Sequence, residues 1–241
     1  MRRNLFILLM TINYLVGMPL LVVVWVVKKF NRKMGLKLAY KFNRFTGFLL
    51  FFSAGAKFET EGLEYMTMEE GALYVGNHRS MLDVAVMMRY LKKPVIFVGK
   101  KSVKKWPVLS WWMRIQDALF IDRTSPKEGI KAIKKGIAFL KNGESVVLFP
   151  EGTRSKNDVL LPFKKGCVRM AEKSGVPIIP CAIKGTDDVF ENNGFNLKPN
   201  TIYFKVGEPI HLDQITLSEG ETASDYVKSR IEEMYYELGK K

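Results

Sequence analysis

The chain has 241 residues, 47% of them hydrophobic, which suits one sizeable core and excludes a disordered chain. Its 38 Lys and Arg against 24 Asp and Glu leave a net charge of +14, so an anionic partner is expected: nucleic acid, a membrane surface or a phosphorylated substrate. The two cysteines, Cys167 and Cys181, lack Cys-x-x-Cys spacing, which argues against a zinc ribbon, a redox motif or a disulfide framework.

In chain order, residues 5–27 come first, a run without Asp, Glu, Lys, Arg or His between Arg2-Arg3 and Lys28-Lys29. As a helix it would be about 35 Å long, enough to cross a bilayer core. The apolar part is too long for a secretory signal, and no small-x-small cleavage site precedes Lys28. Gly17-Met18-Pro19 interrupts the middle, where Pro19 is expected to kink or break the helix. Over 28–44, Lys and Arg interleave with Leu36, Leu38, Ala39, Tyr40 and Phe42, the composition of an interfacial amphipathic helix. A second apolar stretch, 45–56, is too short to cross. The expectation for residues 1–57 is a membrane-associated helix pair, dipping into one leaflet with both basic flanks at headgroups. A single transmembrane span is the alternative, since positive charge at both ends gives no orientation signal. All-round apolar character argues against a buried core helix.

From residue 58 onward, strands and helices alternate. Strands are expected at 58–61, 73–76, 95–98, 118–121, 145–149, 178–184 and 202–206, short Val-, Ile- and Phe-rich runs bounded by Gly, Pro or charge. Helices are expected at 81–90, 102–113, 126–141, 164–174 and 224–238. Pro126 after Ser125 marks a start, and Asn142-Gly143 a stop. Residues 58–241 therefore read as one α/β domain, a largely parallel or mixed sheet of about seven strands flanked by helices.

The chemistry concentrates in Asn77-His78-Arg79-Ser80-Met81-Leu82-Asp83, just past a strand. Histidine can both take and give a proton near neutral pH. An aspartate reaching its other ring nitrogen fixes the tautomer and stabilises the imidazolium. Inside one helix, five residues would set the side chains about 140° apart. The pair can meet only if His78 lies in a strand-to-helix turn and Asp83 in the first turns of the helix, with Ser80 as a candidate N-cap. A buried histidine satisfied by a carboxylate fits the same spacing. His211, the other histidine, has no motif partner and reads as structural or exposed. No Gly-x-Ser-x-Gly elbow, phosphate-binding glycine loop or metal-ligand cluster occurs, so no metal is expected.

This run resembles the His-x4-Asp motif of the glycerolipid acyltransferases. Three further blocks follow in that family's order: Phe120-Ile121-Asp122-Arg123, Phe149-Pro150-Glu151-Gly152-Thr153-Arg154-Ser155 and Val176-Pro177-Ile178-Ile179-Pro180. The resemblance covers about residues 58–210, and the short chain is most similar to the lysophosphatidic acid acyltransferases. Arg79 departs from the Gln or Asn usual after the motif histidine. The resemblance implies that His78, oriented by Asp83, is the general base that deprotonates the sn-2 hydroxyl of lysophosphatidic acid. Acyl-ACP or acyl-CoA would be the co-substrate, phosphatidic acid the product, and no other cofactor is implied.

By the same resemblance Arg123 binds the acceptor phosphate, a role its planar fork suits. Of Lys100, Lys101, Lys104 and Lys105 in the segment leading to it, one or two, with Lys100, Lys101 and Lys105 the candidates, are expected to complete the site, and the rest to form a solvated helix face or headgroup contacts. A surface ion pair of Arg123 with Asp122 or Glu128 is the plainer reading. Glu151, Gly152 and Arg154 are expected around the acceptor glycerol and phosphate: Glu151 as partner of the glycerol hydroxyl or of a positioning Arg, Gly152 by permitting a turn, and Arg154 on the phosphate or locking its loop. Val176, Pro177, Ile178, Ile179 and Pro180 are implied as a wall beside the acyl donor; a plain buried strand serves equally. The expected setting is the cell membrane, active site toward the cytoplasm, with no nucleic acid partner. A glycerol-3-phosphate or other lysolipid acyltransferase stays open. A membrane-tethered basic binding protein would explain the charge but not four ordered blocks.

Overall fold

The computed structural model describes residues 2–66, 70–122, 125–164, 166–194 and 196–240. It opens with two long helices, α1 (Arg2–Phe30) and α2 (Arg32–Ala54). The break between them falls at Asn31, not at the expected 17–19. Asn31 leaves helical geometry and its side chain accepts from the Met34 amide, capping α2, whereas α1 runs through Pro19. Gly17 serves packing: a Cβ there would come within 2.6 Å of the Phe42 ring on α2. The basic stretch and the second apolar stretch, read as separate pieces, form the single helix α2, which ends at Gly55 in the left-handed region (φ 69°).

The hairpin is antiparallel along its whole length. Gly35 is packed on the Lys28 backbone at one end, and Gly55 meets the Arg2 guanidinium at the other. At the bend, Lys28 and Arg32 pair with the α/β part while Lys29 and Lys33 stay exposed. Lys28 donates to Asp117 at 2.6 Å, and Arg32 bridges Asp117 and Glu144, both at 2.8 Å.

Seven strands follow: β1 (Lys57–Glu61), β2 (Leu73–Gly76), β3 (Val95–Lys100), β4 (Leu119–Ile121), β5 (Ser145–Leu148), β6 (Ile178–Lys184) and β7 (Thr201–Val206). They form one mixed sheet in the order β1-β7-β6-β2-β5-β3-β4, parallel throughout except where β6 meets β7. Helices α3 (Leu82–Tyr90), α4 (Pro107–Ile115), α5 (Pro126–Lys141), α6 (Gly166–Ser174), α7 (Thr186–Val189) and α8 (Ala223–Glu237) complete the chain. The helix expected at 102–113 starts five residues late. Lys101–Lys105 is a 3-10 turn, and Pro107, which cannot donate within a helix, begins α4 instead. The short α7 had no expectation.

Side chains alternate across the central strands. Tyr74, Ile179, Cys181 and Ile183 pack with Tyr40 and Phe51 of α2 and Val86 and Met87 of α3. Leu73, Val75, Ile178 and Ala182 pack on the other face with Leu140 of α5, Met170 of α6 and Ile231 of α8. Thus α2 is part of the core of the α/β layer structure. Helix α1 is not: it touches α2 and α4 through Val24, Ala39, Trp112 and Ile115, and leaves Leu8, Ile12, Leu15, Val16, Val22 and Val23 exposed. Phe45, Phe48 and Phe52 of α2, Trp106 at the start of α4 and Trp111 within it extend this exposed apolar character. Among the described residues, α1 alone is long and apolar enough to cross a membrane.

The close crossing at Gly35 yields a test. A Cβ there would lie 2.6 Å from the Lys28 Cα, so Gly35→Leu must push α1 off α2. Its detergent-purified protein is expected to melt several degrees below the parent. Gly129→Leu, on α5 with open space around it, should not melt lower.

Candidate active site

Strand β2 sits mid-sheet between β5 and β6, and connections leave the carboxyl ends of β2 and its neighbour β5 for opposite faces: α3 from β2 on the α2 side, and α6 from β5 on the other. Such a switch point is the usual ligand crevice of an open α/β sheet. The buried Asn77 carboxamide prolongs the pairing one step. It donates to the Ile183 carbonyl at 2.8 Å and accepts from the Ile183 amide at 2.7 Å. His78 then opens the turn into α3.

Asp83, in the first turn of α3 and fully buried, makes that turn. Its Oδ2 accepts from the Arg79 amide at 2.7 Å and the Ser80 amide at 2.8 Å, and stands 2.9 Å from His78 Nδ1. Its Oδ1 accepts from the Thr186 hydroxyl at 2.6 Å. The carboxylate acts only as acceptor, so Nδ1 carries the hydrogen and Nε2 keeps a free lone pair. The imidazole lies on the Phe149 ring, centroids 4.5 Å apart, and its side chain keeps 16% exposure, enough to be reached. The pair therefore straddles a strand-to-helix turn, as the spacing requires. Ser80 stands one position before the helix cap. Its hydroxyl accepts from the Leu82 amide and donates to Glu191 at 2.6 Å.

The block after β5 clamps the same turn. Glu151 is buried, and its two oxygens accept from the His78 amide at 2.7 Å and the Leu161 amide at 2.9 Å. Burial raises its carboxyl above the usual carboxylate range, against the pull of those amides. The Ser155 amide donates to the His78 carbonyl at 2.9 Å, so the histidine backbone is held on both sides. Each Glu151 oxygen thus accepts one backbone amide, which makes the residue a brace of the turn. Gly152 adopts φ 72°, the left-handed turn that favours glycine. Arg154 donates to Glu191 at 2.7 Å and remains 41% exposed.

Arg79, the departure from the family pattern, is an anchor. It donates to Asp187 from two nitrogens, at 3.1 and 2.6 Å, to Asp158 at 3.3 Å and to the Asn157 carbonyl. Asp158 also receives the Tyr235 hydroxyl from α8.

The remaining expected residues separate. Lys100 ends β3, and Lys101 pairs with Asp122 at 3.1 Å. Both lie at the carboxyl edge that carries His78, two strands from β2, or about 10 Å sideways. Lys105 is exposed in the 3-10 turn. Arg123 lies outside the described residues. Of the fourth block, Pro177, Ile178, Ile179 and Pro180 are buried and Val176 partly so. Ile178 is level with Leu73, about 16 Å along the strand from His78; Ile179, beside Tyr74, and Pro180, beside Val75, come one and two residues closer. The geometry gives this block core packing. His211 is exposed.

Three residues of the site had no expectation: Thr186, Asp187 and Glu191. The available signal was Lys184-Gly185-Thr186-Asp187-Asp188, a polar turn after a strand that runs parallel to β2 and so ends beside it.

Fold and turn together describe an α/β protein with a histidine seated on a buried carboxylate at the sheet's switch point. The chain belongs to the acyltransferase family, whose sequence model matches residues 57–184. It is 33% identical over 184 residues to a 1-acyl-sn-glycerol-3-phosphate acyltransferase of Cocos nucifera, covering 76% of this chain and 58% of that one. It is 32% identical over 196 residues to the enzyme of that name from Limnanthes alba, covering 81% and 68%. The chloroplastic LPAT1 of Arabidopsis thaliana is 31% identical, covering 72% and 49%. The chain therefore spans between about half and two thirds of the length of these relatives. PlsC, the 1-acyl-sn-glycerophosphate (LPA) acyltransferase of Thermotoga maritima, shares the fold over 100% of both chains, with a TM-score of 0.77 at 24% identity.

Thr186→Val keeps the volume but withdraws the donor from Asp83 Oδ1. A buried acceptor left unpaired costs about 1–3 kcal/mol, so acyl-transfer kcat is expected to fall roughly five- to hundredfold, while Thr186→Ser should retain most activity. Equal rates in the parent and the valine variant would remove Thr186 from the site.

Proposed function

We propose that the chain transfers an acyl group from a thioester to the sn-2 hydroxyl of lysophosphatidic acid, giving phosphatidic acid. The observation that carries this reading is the His78–Asp83 pair, which leaves Nε2 without a hydrogen-bond partner among the described residues. The names of the curated relatives support the choice of acceptor. Nε2 takes the hydroxyl proton as the oxygen attacks the thioester carbonyl. The tetrahedral species collapses, the thiolate leaves, and the imidazolium returns the proton to it. Asp83 holds the ring and stabilises its charged form. Neither a metal nor a covalent acyl-enzyme is needed, and the thiol carrier is ACP or coenzyme A.

General-base help supplies about 10²–10⁴-fold, so positioning must supply the rest. For that we assign the acceptor phosphate to Arg123 with Lys100 and Lys101; the position of the two lysines at the sheet edge that carries His78 supports the reading. Arg154, partly exposed beside the turn, is the second candidate cation. Residues 1–57 act as the membrane segment and 58–241 as the catalytic part. One-leaflet insertion on the cytoplasmic side is favoured over a span. Arg2 meets Gly55 and Lys28 reaches Asp117, so both ends of α1 are tied to the same body.

His78→Ala, assayed with lysophosphatidic acid and both acyl-ACP and acyl-CoA, is expected to lose at least 10²-fold in kcat/KM while folding normally. Near-parent turnover would end the general-base reading. Topology has its own test. Arg3→Cys should react with an impermeant thiol reagent only from the face that carries the α/β part, and labelling solely from the opposite face would establish a span.

A further inference from the structure

Between α2 and α3 lies a cavity of about 470 Å³ lined by Lys41, Arg44, Phe48, Arg89 and Tyr90. Three cations and two aromatic rings meet there without a lining acid, and among the described residues none of the three cations forms an ion pair. The Arg89 guanidinium is set by rings, 4.5 Å from the Phe58 centroid and 5.7 Å from that of Tyr90. Arg44 uses one nitrogen on the Arg89 carbonyl at 2.9 Å, which offsets the negative end of α3 and leaves its other donors for a ligand.

The surroundings identify the ligand. Along α2, Lys37, Lys41 and Arg44 recur at helical spacing, and the stacked, exposed rings of Phe45, Phe48 and Phe52 form the adjoining stripe. The cavity therefore opens where the exposed apolar surface gives way to charge. That is the height at which a bilayer carries its phosphates.

We propose that this cavity binds the phosphate of one anionic phospholipid that is not the acyl acceptor. Arg and Lys donors take the phosphate oxygens, and the phenylalanine stripe runs along the acyl chains. Arg89 is six residues from Asp83 on the same helix, about 9 Å along its axis, so the bound lipid sets the depth of the helix that carries the catalytic carboxylate.

The test is native mass spectrometry of the full chain in detergent, where no bilayer charge attracts the protein generally. The parent should retain one phosphatidylglycerol per chain and no phosphatidylcholine. Lys41→Gln/Arg89→Gln should cut the retained fraction at least tenfold, and exposed Lys41→Gln alone at least threefold, which keeps the test independent of any folding defect. Lys134→Gln/Lys135→Gln, removing equal charge from α5, should stay within twofold of the parent. Retention by the cavity variants, equal loss in the α5 variant, or no adduct on the parent would overturn the proposal. Displacement of the lipid by millimolar inorganic phosphate would assign the cavity to a soluble anion instead. Turnover is not read, so the result stands apart from the identity of the acceptor.

Discussion

One carboxylate holds the site together. Asp83 is fully buried, and it is stable there because four donors converge on it: two backbone amides of the turn, an imidazole N–H and the Thr186 hydroxyl. Burying a charge without such partners costs several kcal/mol. The same bonds that solve this desolvation problem bend the chain from β2 into α3 and select the His78 tautomer. Stability and chemistry are therefore the same interaction, and disturbing either disturbs both.

The rest of the molecule holds that turn from outside. Glu151 and Ser155 grip the His78 backbone, Glu191 takes the Ser80 hydroxyl and the Met81 amide, and Asp187 takes Arg79. These partners follow the ends of β5 and β6, the two strands that flank β2 at the sheet centre. Parallel strands put all three carboxyl ends on one edge, so segments over a hundred residues apart in sequence arrive at one place. The antiparallel pairing of β6 with β7 lies outside this trio.

Much of this was legible in the chain. The Val-, Ile- and Phe-rich runs at 73–76, 145–149 and 178–184 are central strands buried on both faces, where composition alone is decisive. The spacing of His78 and Asp83 already required a strand-to-helix turn. The helix termini were harder. Pro19 reads as a kink or a break, yet α1 passes through it unbroken, while Asn31, whose side chain accepts from the Met34 amide, marks the break between the helices. Thr186 and Glu191 were illegible because their partners lie about a hundred residues away, beyond any local pattern. The role expected of Glu151 followed its motif, whereas its bonds depend on burial that no motif spells out. The fourth block likewise reads as an apolar wall in isolation and as sheet core once its register with β2 is known.

Helix α2 is the link between this site and an apolar environment, since Tyr40 and Phe51 enter the core while Phe45, Phe48 and Phe52 face outward. The most direct test of the central claim is ¹⁵N NMR of histidine-labelled protein in alkaline buffer, made simple by the presence of only His78 and His211. Seating on Asp83 predicts a His78 resonance pair with the hydrogen on Nδ1 and Nε2 bare, distinct from exposed His211. A hydrogen on Nε2 of His78 would contradict the account, because the proton acceptor on which it depends would then be occupied.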